Sequence, residues 1–254
     1  MDGLHWTSAS RSHPGRVRAI NEDAWLEQPQ SGAWAVADGM GGHALGEFAS
    51  RMAVHCLAAL SAPKALPPHL AAAQARLREA NRRLRAEALR RDVPIIGTTI
   101  AALLVAGRDC ACVWAGDSRV YRLRAARLQQ LTCDHSQLQA ARMSGTAGAV
   151  DVTLERPPAN VITRALGAAD EIELDSVVID VQDGDVFLLC SDGLSNEVDE
   201  ASIVQALLPG RCKFAADTLL DLALARGGHD NITAVVVHAE DLWSPDRTLI
   251  LPVM

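Results

Sequence analysis

An aspartate set among small or polar residues where an apolar strand ends recurs along this chain, and that repetition constrains the fold most. The clearest instance is Val36-Ala37-Asp38-Gly39-Met40-Gly41-Gly42-His43. Ahead of it, Ala33 to Ala37 reads as a short buried strand, and behind it Leu45 to Leu60 reads as a helix. Glycines keep the turn open, because they let backbone approach a ligand and adopt positive φ at little steric cost. Asp38 can therefore cap the helix or hold a hard cation through its carboxylate and a neighbouring carbonyl. The pattern returns three times. Cys110 to Ala115 ends in Gly116-Asp117-Ser118-Arg119, and Asp185 to Cys190 delivers Ser191-Asp192-Gly193-Leu194. Gly227-Gly228-His229-Asp230-Asn231 then leads into the strand Ile232 to Val237.

A buried carboxylate is costly unless it is paired or metal-bound. Four of them beside core strands repel one another unless cations lie between them. Oxygen donors without a suitable histidine or cysteine cluster fit Mg²⁺ or Mn²⁺ better than Zn²⁺. Two such ions about 3.5–4 Å apart can activate a bridging water and steady the leaving oxygen in phosphoryl transfer.

The bounds agree with that chemistry. With 254 residues the chain can bury a substantial core, and its formal charge of −7 argues against nucleic acid, which demands a basic footprint. Met1 to Ser12 shows no secretory pattern. The longest apolar run, Ile100 to Ala106, is too short to span a bilayer. The six cysteines then read as reduced, buried thiols of a cytoplasmic protein with no membrane partner.

Between the aspartates the chain reads as follows. Gly15 to Trp25 joins arginines to the acidic pair Glu22-Asp23 and, in isolation, reads as a solvated loop with a weak surface ion pair. Pro63 to Pro68 breaks the pattern, and a long helix from about His69 to Arg91 follows. Its apolar stripe is Leu70, Ala73, Leu77, Ala80 and Leu84. Its other face carries Arg76, Arg78, Arg82, Arg83, Arg85, Arg90 and Arg91 and reads first as a solvated face. Strands follow at Thr98 to Val105, Val120 to Arg124, Leu128 to Leu131 with a turn near Ala125, and Val177 to Val181. Thr132 to Asn160 reads as a mobile flap with some helix, and His135 within it as a loop histidine. Helices are predicted from Glu200 to Leu208 and Lys213 to Ala225. No repeat or linker divides the chain, which predicts one domain over 1–241 and a tail over 242–254.

Taken in order, VRAINEDAW (17–25), VADGMGGHALGE (36–47), GTTIAALLV (97–105), AGDSRVYRLR (115–124), LTCDHS (131–136), NVITRALG (160–167), GDVFLLCSDGL (184–194) and GGHDNITAVVV (227–237) resemble one family. It is the PP2C, or PPM, group of metal-dependent serine/threonine protein phosphatases in its bacterial form. The resemblance implies an α+β fold, a four-layer αββα sandwich of two antiparallel sheets flanked by helix pairs, with the metal cluster at one end. It implies two Mn²⁺ or Mg²⁺ ions bridged by Asp38, the second also taking the Gly39 carbonyl, and the first held by Asp192 and Asp230. Asp117 would help hold a third, looser ion. Glu22 and Asp23 would act through metal-bound water, and Arg18 would bind the substrate phosphate. The implied chemistry is direct attack by metal-bound hydroxide on phosphorus, without a phosphoenzyme. Met40 stands where animal members place a histidine, which leaves the proton donor open between His43 and a metal-bound water.

The resemblance also implies phosphoserine and phosphothreonine proteins as substrates and a Hanks-type Ser/Thr kinase as the opposing enzyme, in a setting similar to type VI secretion control. The chain is expected to be a monomer. A catalytically inactive phosphatase-like module that binds phosphoproteins is the alternative, and loss of turnover on replacing Asp192 separates the two. A structural domain whose aspartates only cap helices is a further alternative, without cation-dependent stability.

Overall fold

Strands buried on both faces need a covering layer on each side, and the alternation along them shows what covers which. The computed structural model describes residues 4–41, 44–143 and 161–241. In β3 (Ala33–Met40), Trp34 and Val36 point to one core while Ala33, Ala35 and Ala37 point to another. One sheet runs β2 (Asp23–Gln28), β3, β5 (Ile100–Ala106), β6 (Asp109–Ala115), β9 (Asp175–Asp180), with β4 (Gly97–Thr98) paired to the end of β3. The other runs β1 (His5–His13), β11 (Ile232–Glu240), β10 (Val186–Cys190), β7 (Arg119–Arg124), β8 (Arg127–Gln130). Every pairing is antiparallel.

The sheets face each other across a core that includes Trp34, Leu103, Trp114, Phe187 and Val235. Helices α1 (Ala44–Ala58) and α2 (Leu66–Arg91) cover the outer face of the first sheet through Leu57, Leu77 and Leu84. Helices α5 (Glu200–Leu207) and α6 (Cys212–Ala225) cover the second through Ile203, Leu207 and Leu219. This is the expected four-layer αββα sandwich. Two short helices, α3 (Gln137–Met143) and α4 (Asp192–Ser195), belong to the loops at one end. All six cysteines are free thiols, and five of them are buried.

Several elements differ from the sequence reading, each for a local reason. Helix α2 begins at Leu66, because Pro67 and Pro68 sit in the first turn, where no N–H is needed. The strand expected from Thr98 to Val105 is split at Thr99, where β4 leaves the sheet path. Strands β1 and β2 arise from polar segments: Glu27 accepts from Ser8 Oγ at 2.8 Å and Ser10 Oγ at 2.7 Å, joining the two sheets along one side. The Glu22-Asp23 segment is therefore half strand, not wholly loop. The tail 242–254 and flap residues 144–160 lie outside the described residues.

The β7–β8 hairpin turns on Ala125 (φ 47°) and Ala126 (φ 61°), both left-handed. A two-residue turn of this kind favours Asn-Gly, and a Cβ in that region costs roughly 1–2 kcal/mol per residue. Replacing the pair by Asn-Gly is expected to raise the melting temperature by about 2–4 °C, the shift that about 1 kcal/mol produces in a domain of this size. An unchanged or lower melting temperature by calorimetry would contradict the assignment of the turn.

Candidate metal centre

The antiparallel pairings bring the marked aspartates to one end of the sandwich. Asp38 lies near the end of β3, Asp117 just after β6, Asp192 just after β10 and Asp230 just before β11. The β2–β3 register sets Asp23 directly opposite Asp38.

Backbone and neutral side chains hold most of these aspartates, and Arg18 holds Asp230. The Asp38 N–H donates to Thr99 Oγ1 at 2.9 Å, and its carbonyl accepts from Thr98 Oγ1 at 2.9 Å. Thr99 Oγ1 lies 2.7 Å from Ser118 Oγ, tying this point to the turn that carries Asp117. Asp23 Oδ2 accepts from Thr233 Oγ1 at 2.6 Å and Ser191 Oγ at 2.8 Å. Asp192 opens α4, and its Oδ2 accepts from Asn196 Nδ2 at 3.2 Å. The Asp192 and Asp38 carboxyls lie close enough to perturb each other. Asp230 Oδ1 accepts from the Asn231 N–H at 2.8 Å, and its Oδ2 accepts from Arg18 Nη2 at 2.7 Å.

Asn231 holds the loop that carries Arg18. Its Nδ2 donates to the Pro14 and Ile20 carbonyls at 3.0 and 2.9 Å, and its Oδ1 accepts the Glu22 N–H at 2.7 Å. Glu22 reaches in between two glycines: its carbonyl accepts the Gly39 N–H at 3.2 Å, and a Cβ on Gly46 would lie 2.3 Å from its Oε1. Gly39 is itself obligatory, since a Cβ there would lie 2.1 Å from the Gly46 carbonyl oxygen. Beyond Asp117, Asp192 and Asp230 opens a cleft of ≈ 370 Å³, which Arg119 and Glu197 also line.

The electrostatics are those of a cluster waiting for positive charge. Burial pushes Asp23 up to about 7, against the hydrogen bonds from Thr233 and Ser191, and pushes Asp117 up to about 7, with Asp192 adding repulsion. Burial, then repulsion from Asp23 and Asp192, holds Asp38 well above the usual carboxylate range. Asp192 is raised by burial and by Asp230. Asp23 Oδ1 and Asp117 Oδ1 are buried without a hydrogen-bond partner, a state that is unfavourable by about 1–3 kcal/mol for a polar atom. Divalent cations bound by oxygen ligands answer both defects, so the residues present fit such ions. Among the described residues no three such side chains form a ready-made cage, and Arg18 supplies the positive charge facing Asp230.

Arg18, Glu22, Asp23, Asp38, Gly39, Asp117, Asp192 and Asp230 thus all lie at this end. His43 is outside the described residues. His135 is buried; its Nδ1 accepts the Gly116 N–H at 3.2 Å, which leaves Nε2–H to donate to Asp175 Oδ2 at 3.1 Å. The sequence reading missed Thr98, Thr99, Ser191, Asn231 and Thr233. Ser191, Asn231 and Thr233 had one signal, a hydroxyl or amide within three residues of a marked aspartate, whereas Thr98 and Thr99 had none and are placed only by the pairing of β4 with β3.

A family model for protein phosphatase 2C matches residues 11–225. The chain belongs to the protein phosphatase 2C family. A curated relative, the serine/threonine protein phosphatase PstP of Mycobacterium tuberculosis, is 38% identical over 234 residues, covering 92% of this chain. The chain spans about half the length of that relative, 45%. Among solved structures, PppA, a key regulatory component of T6SS in Pseudomonas aeruginosa, is 41% identical with a TM-score of 0.86, covering 93% of this chain and 99% of that one. The catalytic domain of PstP in complex with two manganese ions is 38% identical with a TM-score of 0.83, covering 94% of this chain and 100% of that one. This protein phosphatase 2C chain thus shares its fold with a relative whose catalytic domain binds two manganese ions.

The raised carboxyls fix a pH dependence. A carboxyl whose pKa is higher folded than unfolded binds more protons when folded, so stability is full below the unfolded value and falls as pH rises through the folded one. Without divalent cations, melting temperature is expected to fall between about pH 4 and pH 7, the window set by Asp23 and Asp117. With saturating Mn²⁺ the trend is expected to reverse, because the ions favour the ionised forms. Parallel profiles with and without Mn²⁺ would contradict this.

Proposed function

We propose that this chain is a metal-dependent protein serine/threonine phosphatase acting on phosphoserine and phosphothreonine in proteins. The observation that carries the reading is the group of buried, mutually repelling carboxylates at the joined ends of two sheets, faced by one arginine, in a protein phosphatase 2C chain. Asp38 would bridge two ions, with the Gly39 carbonyl on the second and Asp192 and Asp230 on the first. Asp117 would hold a third, and Glu22 and Asp23 would act through water. When bound, Mn²⁺ or Mg²⁺ supplies an activated water and neutralises charge on the leaving oxygen.

The chain's own residues do the rest. Arg18 is half-exposed, and only its Nη2 is engaged by a described residue, so its other N–H donors can take phosphate oxygens in parallel. Asn231 keeps the Arg18 loop against the carboxylates through its three hydrogen bonds. Thr233 and Ser191 keep Asp23 aimed beside Asp38.

The likeness to PppA and PstP supports a bacterial role opposing a Hanks-type kinase, and with PppA a role in type VI secretion control. Among the described residues no helix is long and apolar enough to cross a membrane. We read the chain as a cytoplasmic, monomeric enzyme whose single domain covers 1–241. The test is hydrolysis of a phosphothreonine peptide with Mn²⁺, with EDTA and with Asp192→Asn. Turnover is expected to require Mn²⁺ and to fall at least about 100-fold in the variant, more than loss of a supporting partner removes. A folded protein without turnover under any divalent cation would reject the enzyme and favour a phosphoprotein-binding module.

A further inference from the structure

Helix α2 carries a charge that the rest of the molecule does not. Its 26 residues hold seven arginines and two glutamates, in a chain whose formal charge is −7. The apolar stripe through Ala73, Leu77 and Leu84 is spent on the core, so the arginines are not a by-product of packing. Arg76, Arg83 and Arg90 are spaced seven residues apart and all exposed, which lines them along one outer ridge of about 21 Å.

The ridge is only half neutralised. Glu79 is shared between Arg82 and Arg83, and Glu87 between Arg90 and Arg91, so each group keeps a spare positive charge. Arg76 makes no ion pair with any described residue. Leu89, 75% exposed, is the most exposed large apolar side chain among the described residues and stands on the adjoining face of the helix, in line with Arg82 and Arg85. An apolar anchor amid arginines is the composition of a binding hot spot. The molecule already seats one acidic segment against this helix: Arg85 pairs with Asp170 at 2.7 Å, and Asn81 Nδ2 donates to the Ala169 and Asp170 carbonyls. At its C-terminal end α2 leads into β4, which pairs with Gly39 and Met40 at the carboxylate end.

We propose that the outer ridge of α2 is a docking surface for an acidic, Asp/Glu-rich segment of the phosphoprotein substrate. The inference rests on the phosphatase reading for its purpose, not for its binding. A nucleic acid fits poorly, since the remainder of the chain is strongly negative and a long polyanion would meet it. A lipid surface fits poorly as well, because the ridge offers arginine, glutamate and alanine in place of a broad apolar face.

The test compares two phosphothreonine peptides. One is bare; the other is joined by a Gly-Ser linker of about 12 residues, spanning roughly 20 Å, to a tail of six Asp/Glu around one Leu. At low salt the tailed peptide is expected to show a kcat/KM about tenfold higher, carried by KM and abolished at high salt. Arg76→Gln/Arg83→Gln/Arg90→Gln is expected to remove that preference and leave the bare peptide unchanged, while the triple Lys variant keeps it. Equal kcat/KM for the two peptides in the unmodified protein, or a preference that survives the Gln variant, would overturn the proposal. Fluorescence anisotropy with the tail alone separates the two readings. Binding lost in the Gln variant sustains the docking surface even if no peptide is hydrolysed. Binding of phosphatidylglycerol vesicles or duplex DNA without binding of the tail overturns it.

Discussion

Everything at the functional end of this molecule answers to the repulsion among carboxylates that two sheets deliver to one place. A single strand-end aspartate could be absorbed as a helix cap. Asp38, set opposite Asp23 and near Asp192, cannot be, because burial and like charge both push its pKa well above the usual carboxylate range. The fold leaves that conflict in place where apolar packing could have removed it. A cluster that is unfavourable alone and favourable with cations is a site whose stability and chemistry are linked to the same ions.

Apart from the Arg18–Asp230 pair, neutral groups keep the aspartates in place. Thr98 and Thr99 fix the backbone of Asp38, Ser191 and Thr233 fix Asp23, and Asn231 ties the Arg18 loop to the start of β11. Such partners set geometry without adding to the repulsion. The glycines do the same by absence: a Cβ on Gly193 would lie 2.0 Å from the Asn231 carbonyl oxygen, so α4 can carry Asp192 this close to β11 only without one. The sandwich behind them, with Trp34, Leu103 and Phe187 fully buried between the sheets, gives the cluster a rigid base.

The parts of this arrangement that were legible in the sequence are those where burial and chemistry leave a residue-level mark. Apolar runs such as Ile100 to Ala106 announce strands covered on both faces, and an aspartate among glycines at their ends announces the site. Polar strand β1 leaves no such mark, because it lies at a sheet edge and is half-exposed along its length. Strand β2 hides Asp23 because Trp25 beside it faces outward. Ser191, Thr233 and Asn231 are silent because neutral hydrogen-bonding residues occur everywhere, and only the three-dimensional pairing of β10 with β11 gives them a role. The start of α2 was misplaced because proline reads as a breaker in sequence and as a first-turn residue in a helix.

The most direct test of the account is a crystal structure of the protein grown with Mn²⁺, with anomalous data recorded at the manganese edge. The account expects two strong anomalous peaks among Asp38, Asp192 and Asp230, with Asp38 touching both and Arg18 withdrawn from Asp230. A well-ordered structure without anomalous density at this end, and with Arg18 still paired to Asp230, would contradict it.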